Sequence, residues 1–392
     1  MDKIKIMYIL RNAEGGMKNH VQSLIERINA DRFQPVLVCP GTIAAKIQVN
    51  CKVYKMEISD VLSPRQDWYL LKHLRKIMEN ENPHIIHAHG AKASFLAKWA
   101  ARKANVPALL TTAHNFIYQS PTPWLKGRIF SYLQKHFAPP NDHYISVSKA
   151  LAKSICKNEN ISLDKMSVIY NGIDLKQFEL LLDCHAAKEA LHLDIKEPVV
   201  GVIARLIPQK GVHHFLKMAD IISKKLPGCQ FLIIGNGPQR DILIKQAHNM
   251  GIEARIIFLG HREDIPVLLP IVNVLVIPSL SEGMSITALE GMAARRPIVA
   301  YNTGGLSEII IHEENGLLIK RGDITRLAQA VLELLVFRKK AERLGNAARK
   351  TVEASFTVEK MIQETEKVYE KILTAKGLKL SKDNPSKIAI SP

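Results

Sequence analysis

The sequence predicts an α/β protein made of two doubly wound parallel sheets, each with its own core. Three observations carry this. From residue 4 to residue 319, short apolar runs rich in β-branched residues alternate with helical patterns, as βαβ units require. These runs are continuously apolar, as strands buried on both faces are. A polar helical stretch, residues 175–197, interrupts the alternation, and 392 residues of 47% hydrophobic composition suffice for two sizeable cores.

Residues 4–10 read as the first strand, and a helix with Val21, Leu24, Ile25 and Ile28 at helical spacing follows. Between them Gly15-Gly16 permits a sharp turn and close approach to a ligand. It is not the Gly-x-Gly-x-x-Gly of dinucleotide sites. Strands are expected at residues 35–39 and 52–56, a helix at 69–78, and a strand at 83–90. His87 and His89 point the same way on that strand. With no third ligand of clear type nearby, a structural role outweighs a metal. An Ala-rich helix, 91–102, leads to strand 108–112 and to His114. Ligands sit at such strand ends in open α/β sheets, although a lone histidine there is commonly a satisfied structural group. A strand at 144–147, a helix from Ser148 and a strand running into Asn171-Gly172 close the first domain, placed at residues 1–190.

The second domain, 191–356, opens on strand 198–204. The loop after it carries two cations, Arg205 and Lys210. Arginine binds phosphate bidentately and lysine is a point charge with reach; the plain alternative is two solvated loop cations. Strand 230–234 runs into the tight turn Gly235-Asn236-Gly237-Pro238, and strand 256–259 into Gly260-His261. A short helix, 264–269, precedes an apolar strand at 274–277, the polar turn Ser281-Glu282-Gly283, and a helix over 284–294. The helix start presents free N–H groups near Gly283, Met284 and Ser285 and favours an anion such as a phosphate. Glu282 and Glu290 flank that position. Carboxylates repel phosphate, but as pure acceptors they bind vicinal hydroxyls well. A ligand with phosphate in the middle and a diol at each end satisfies both requirements: a nucleoside diphosphate sugar, with Glu290 on the ribose and Glu282 on the sugar. Taken singly, the plainer readings outweigh these: Glu282 as a helix cap and Glu290 as a solvated helical residue. Strands follow at 298–301 and 316–319. An amphipathic helix, 357–375, carries Met361, Thr365, Val368 and Ile372 along one side. The tail, 376–392, is rich in Lys, Ser, Asn and Pro and reads as disordered.

The Glu-x7-Glu element on a strand–turn–helix, with Gly304-Gly305-Leu306-Ser307-Glu308 and Asn315-Gly316-Leu317-Leu318 after it, resembles the retaining glycosyltransferases of family four, the group 1 glycosyltransferases. The resemblance runs from about Met7 to Phe356. It implies the GT-B architecture, in which two Rossmann-like domains face each other across a cleft, and a terminal helix that crosses back to the first domain. It also implies transfer of a hexose from a nucleotide sugar, UDP- or GDP-linked, to an acceptor hydroxyl with retention. In that scheme Gly15 and Gly16 face the donor diphosphate, and His114 lies close to the transferred sugar. Arg205 and Lys210 hold the diphosphate beside Gly235, and the backbone at His261 reads the base. Glu282 orients the sugar. The catalytic set is then His114, Arg205, Lys210 and Glu282. No Asp-x-Asp element is present, so no metal and no cofactor beyond the donor substrate is expected.

Charge and composition bound the setting. The net charge is +17, which favours nucleic acid, anionic membrane or anionic small molecules. Aromatic residues are only 6% and no nucleic-acid motif is visible. A nucleic-acid-binding protein is therefore the weaker alternative, and a sugar-nucleotide epimerase on the same fold is the enzymatic one. Five scattered cysteines without Cys-x-x-Cys suggest neither disulfides nor zinc, which fits a cytoplasmic protein. No apolar run reaches the length of a membrane span. No acidic residue occurs between Glu81 and Asp142, and residues 124–137 mix Trp124, Phe130 and Phe137 with Lys126, Arg128 and Lys135. This composition suits an interfacial helix on the inner face of an anionic membrane. It equally suits an apolar face packed into the first domain with solvated cations. The partners expected are the donor, a glycan or lipid-linked acceptor, and that membrane surface.

Overall fold

The computed structural model describes residues 3–12, 15–59, 63–116, 141–179, 184–380 and 388–390. It forms two compact units: Met1–Asn171 together with Val358–Pro392, and Gly172–Thr357. The sequence reading sets its first boundary at residue 190, within the polar helical stretch, whereas here that whole stretch groups with the second unit. The basic aromatic stretch 124–137 lies outside the described residues.

The first unit holds seven strands: β1 (Ile4–Leu10), β2 (Phe33–Cys39), β3 (Lys52–Lys55), β4 (Ile85–His89), β5 (Ala108–Ala113), β6 (His143–Ser146) and β7 (Met166–Val168). They are ordered β3-β2-β1-β4-β5-β6-β7 and all pair in parallel. Alternate residues of β1 serve opposite faces, as the period of a strand dictates. Ile4, Ile6, Tyr8 and Leu10 pack with Val21 and Leu24 of the Gly16–Arg27 helix; Met7 and Ile9 pack with Leu70, Leu74, Leu96 and Ala97. The Val358–Ala375 helix adds Met361, Val368, Tyr369 and Ile372 to the first of these cores. It is pinned by ion pairs Arg27–Glu359 at 3.0 Å and Arg32–Glu370 at 2.6 Å.

The second unit has six parallel strands: β8 (Val199–Ile203), β9 (Gln230–Ile234), β10 (Ile256–Gly260), β11 (Val274–Ile277), β12 (Ile298–Tyr301) and β13 (Leu317–Ile319), ordered β10-β9-β8-β11-β12-β13. Its core gathers Val200, Val202, Phe215, Phe231, Ile233, Val274 and Val276. In the tail, Leu378–Leu380 pairs antiparallel with Ile388–Ile390. The alternation Leu-Lys-Leu and Ile-Ala-Ile suits strands, and the polar composition around it hides that signal.

Both sheets reverse strand order once, between β1 and β4 and between β8 and β11. At such a switch point the loops leaving the two strands turn to opposite faces and open a crevice at the strand carboxyl ends, where open α/β sheets bind ligands. Topology alone therefore singles out the loops after β1, β4, β8 and β11.

Candidate functional site

In the second unit the loop after β8 carries Arg205 and Lys210 and is clamped from two sides. Ala204 N donates to Ile234 O at 2.9 Å, Leu206 N to Asn236 O at 2.9 Å, and Gln239 N to Leu206 O at 3.0 Å. Gly235 sits at φ 134°, and a Cβ there would overlap the Ala204 carbonyl oxygen. Only glycine lets the two turns meet so closely. On the other side Leu280 N donates to Gln209 O at 2.7 Å. Gly211, at φ 64°, has the Pro278 carbonyl where its Cβ would stand. These contacts seat the loop after β8 on the segment leaving β11.

The result is a direct ion pair. Lys210 Nζ donates to Glu282 Oε2 at 2.7 Å, with the lysine side chain 22% exposed and the glutamate 5%. Sequence reasoning placed both residues at the site but gave one to phosphate and the other to a sugar, without pairing them. Burying Glu282 requires a partner, and Lys210 is it. Arg205, by contrast, is exposed and its guanidinium has no partner among the described residues. The helix after β11 begins at Ile286, two residues later than expected. Ser285 is its N-cap, and its Oγ accepts from Ala288 N at 3.2 Å. The Ser285 hydroxyl thus takes one of the free N–H groups. Gly283 and Met284 are buried beside it, and Gly305 N donates to Glu282 O at 3.1 Å.

Glu290 is half-buried on that helix, and its carboxyl has no partner among the described residues. Burial pushes its pKa up to about 7, because desolvation disfavours the charged form and nothing compensates. His261 follows β10 with an exposed ring, its Nε2 3.9 Å from Glu263. Gly235 N donates to Gly260 O at 2.7 Å, tying this loop to the one after β9.

In the first unit, Gly15 has φ 78° and caps the Gly16–Arg27 helix in the turn after β1. No described residue lies within 4 Å of where its Cβ would stand. His87 and His89, alike in the sequence, part company. His87 Nδ1 meets Tyr369 Oη and its Nε2 meets Thr112 Oγ1, both at 2.7 Å, so both its nitrogens are used within the protein. His89 Nδ1 instead lies 3.1 Å from His114 Nε2. His20 stands edge-on to His114, ring centroids 4.8 Å apart, with its Nδ1 3.0 Å from Asn171 Oδ1. One ring nitrogen from each of His20, His89 and His114 falls within 4.8 Å of the others. The expectation that His87 and His89 lack a third histidine is thus corrected: His89 has two neighbours, from the helix after β1 and the end of β5. Three imidazoles are a ligand set for a transition metal, although the His89–His114 hydrogen bond already occupies one nitrogen of each. Burial holds all three below the usual histidine range, His20 at about 4. They are neutral near pH 7.

Two parallel sheets with polar loops gathered at their switch points define a two-domain, GT-B type α/β protein. Residues 14–177 match the model of Glycosyltransferase Family 4 and residues 185–351 that of Glycosyl transferases group 1; the chain belongs to the group 1 glycosyltransferases and is an enzyme of that class. It is 28% identical over 341 residues, 85% of this chain and 88% of the other, to the Escherichia coli UDP-Gal:alpha-D-GlcNAc-diphosphoundecaprenol alpha-1,3-galactosyltransferase. It is 25% identical over 319 residues, 79% and 80% of the two chains, to N-acetyl-alpha-D-glucosaminyl L-malate synthase of Bacillus anthracis. Among solved structures, Anabaena HepE in complex with UDP-glucose superposes with a TM-score of 0.82 at 22% identity, over 94% of this chain and 99% of that one. Sucrose-phosphate synthase of Thermosynechococcus elongatus gives 0.81 at 21%, over 95% and 100%. At such identities the structures support the fold alone. No described helix is long and apolar enough to cross a membrane.

Proposed function

We propose that this enzyme transfers a hexose, with retention, from a UDP- or GDP-sugar to a hydroxyl of a lipid-linked or envelope polysaccharide precursor. The observation that carries the reading is the Lys210–Glu282 pair at 2.7 Å, at the switch point of the second sheet, with Arg205 on the loop after β8 and Glu290 on the helix after β11, neither partnered among the described residues. Arg205 and Lys210 supply positive charge for a diphosphate, and Glu290 is an acceptor for ribose hydroxyls. In the reaction the bond from the anomeric carbon to the diphosphate oxygen breaks and one to the acceptor oxygen forms. The acceptor's proton leaves with the diphosphate. Negative charge grows on the departing oxygen, and preorganised cations stabilise it there. Glu282 orients the sugar and His114 of the first unit contacts it, with Gly15 and Gly16 beside the donor. Gly235 and the backbone of Gly283, Met284 and Ser285 complete the diphosphate site, and the backbone at His261 reads the base.

The lipid-linked acceptor draws support from the Escherichia coli relative, whose name states a diphosphoundecaprenol-linked substrate. It fits a cytoplasmic enzyme held peripherally at an anionic leaflet by Lys126, Arg128 and Lys135. Thermal stabilisation across a panel of nucleotide sugars, followed by product analysis with diphospholipid-linked sugars, tests the reading. Stabilisation by one sugar nucleotide and product only with acceptor supports it. Isomerisation of the sugar nucleotide alone would make the enzyme an epimerase, and no stabilisation by any would overturn the reading. Co-sedimentation with anionic liposomes, lost when the three cations become Gln, tests the docking.

A further inference from the structure

We infer that His89 is a positioning residue that fixes His114 in one tautomer, with the proton on Nδ1, so that His114 serves the transfer as a hydrogen-bond donor and not as a base. The role in transfer rests on the proposed contact between His114 and the donor sugar; the tautomer does not.

The hydrogen bond between His89 Nδ1 and His114 Nε2, 3.1 Å long, requires one nitrogen to carry the proton and the other to be bare. The second nitrogen of His89 decides which. His89 Nε2 is buried and has no partner among the described residues. Were His114 the donor, neutral His89 would carry its proton on Nε2, as an orphaned N–H away from water. Buried N–H groups without an acceptor are rarer than acceptors left short of a donor. The lesser loss is a bare Nε2. His89 then donates from Nδ1, His114 accepts at Nε2, and the proton of His114 sits on Nδ1.

The surroundings hold His89 in place. Its ring packs on that of His87 with centroids 4.2 Å apart, and on Tyr8 at 6.1 Å. His87 in turn is fixed at both ends. Tyr369 Oη donates to Tyr8 Oη at 3.1 Å, so Tyr369 accepts from His87 Nδ1–H, and His87 Nε2 accepts from Thr112 Oγ1–H. The order Tyr8, Tyr369, His87 therefore has one consistent set of donors. Among the described residues, the charged and titratable groups facing His114 are His20, His87, His89 and Arg11, and none of these is an anion that would favour a second proton on it. With Nε2 engaged, His114 lacks the free lone pair a base needs. Its Nδ1 has no partner among the described residues, which leaves an N–H for an oxygen of the sugar or the phosphate. An imidazole that stays neutral gives up no proton while it orients that oxygen.

Nitrogen-15 NMR of histidine-labelled enzyme without any nucleotide reads the tautomer directly, with His114→Leu used to assign the signals. The expected pattern is a protonated Nδ1 and a bare Nε2 on His114, unchanged between about pH 6 and 8. His89→Asn, whose amide N–H stands close to the former Nδ1–H, keeps that pattern and most of kcat. His89→Leu gives mixed tautomers and lowers kcat by about tenfold, with donor KM changed less. A proton on His114 Nε2 in the wild-type enzyme overturns the inference. So does equal kcat in the Asn and Leu variants. If the leucine variant does not fold, the wild-type spectrum and the asparagine variant still decide. The Nδ1 pattern without binding of any sugar nucleotide would keep the tautomer and sink the function proposed for the site.

Discussion

If Glu290 holds the ribose hydroxyls, as proposed, donor binding depends on pH with a sign opposite to the residue's effect on stability. Its carboxyl titrates at about 7 against an ordinary 4.5 because it is buried without a partner. Ribose hydroxyls donate more strongly to the ionised form than to the protonated one, so binding lowers the pKa toward the ordinary value and releases protons. The protonated fraction must be emptied first. A sugar nucleotide should therefore bind about tenfold more weakly at pH 6 than at pH 8, and up to roughly 300-fold more weakly once the bound form also protonates. For folding, a raised carboxyl pKa means that the unfolded chain loses its proton first. Stability contributed at low pH is then lost as pH rises from about 4.5 to about 7. Glu290→Gln should accordingly raise the melting temperature at pH 8 while weakening the donor by about tenfold. Calorimetry with an intact sugar nucleotide is the assay, because its diphosphate has no ionisation near neutrality. Buffers of different ionisation heat count the proton. Equal affinity at pH 6 and 8, or an unchanged slope in the Gln variant, would refute the argument.

Three further expectations follow from the same loops. Lys210→Ala leaves Glu282 buried and unpaired, so it should cost about 3–5 kcal/mol of stability and lower turnover more than donor affinity; adding Glu282→Gln should restore the melting temperature but not the turnover. Wild-type turnover in Lys210→Ala would remove the lysine from the mechanism. Arg205→Ala, at an exposed residue, should leave the unfolding free energy within about 0.5 kcal/mol of wild type while reducing kcat, and an unchanged kcat argues against a role on the diphosphate. Gly235→Ala places a methyl on the Ala204 carbonyl at an unfavourable φ. It should destabilise by about 1–3 kcal/mol and loosen donor binding, both read by thermal shift with and without nucleotide sugar.

The strands and the acidic motif were legible because their signals are local. An apolar run stopped by Pro278 marks β11, and Glu282 and Glu290 sit within a dozen residues of it. What pairs across the chain was not legible. Lys210 and Glu282 are 72 residues apart, and spacing within one element cannot say that a cation and a carboxylate neutralise each other. The histidines show the same limit more strongly. His20 lies on a helix, His89 ends β4 and His114 follows β5, so only the sheet order brings them together. His20 did carry a signal, a polar residue beside Val21 on a helix whose apolar side is buried. The start of the helix after β11 was misplaced because Met284 and Ser285 fit a helix by propensity, whereas Ser285 is worth more as a cap.

The last helix has a consequence for biosynthesis. The Val358–Ala375 helix, with Tyr369, Val368 and Ile372 among its buried residues, completes a core whose other buried members lie before residue 172. During translation the first unit emerges first but stays open until a segment some 200 residues further on has left the ribosome. At about 5–20 residues per second that is a wait of roughly 10–40 s. The second unit is continuous in sequence, Gly172–Thr357, and can close in the interval. The order of maturation therefore runs against the order of synthesis, and the first sheet, with the apolar residues meant for this helix uncovered, is the nascent chain's exposure to chaperones and proteases. Proteolysis of ribosome-bound chains arrested before residue 358 reads this order: the second unit should resist cleavage while the first is cut, and protection of both would show that the first unit closes without its last helix.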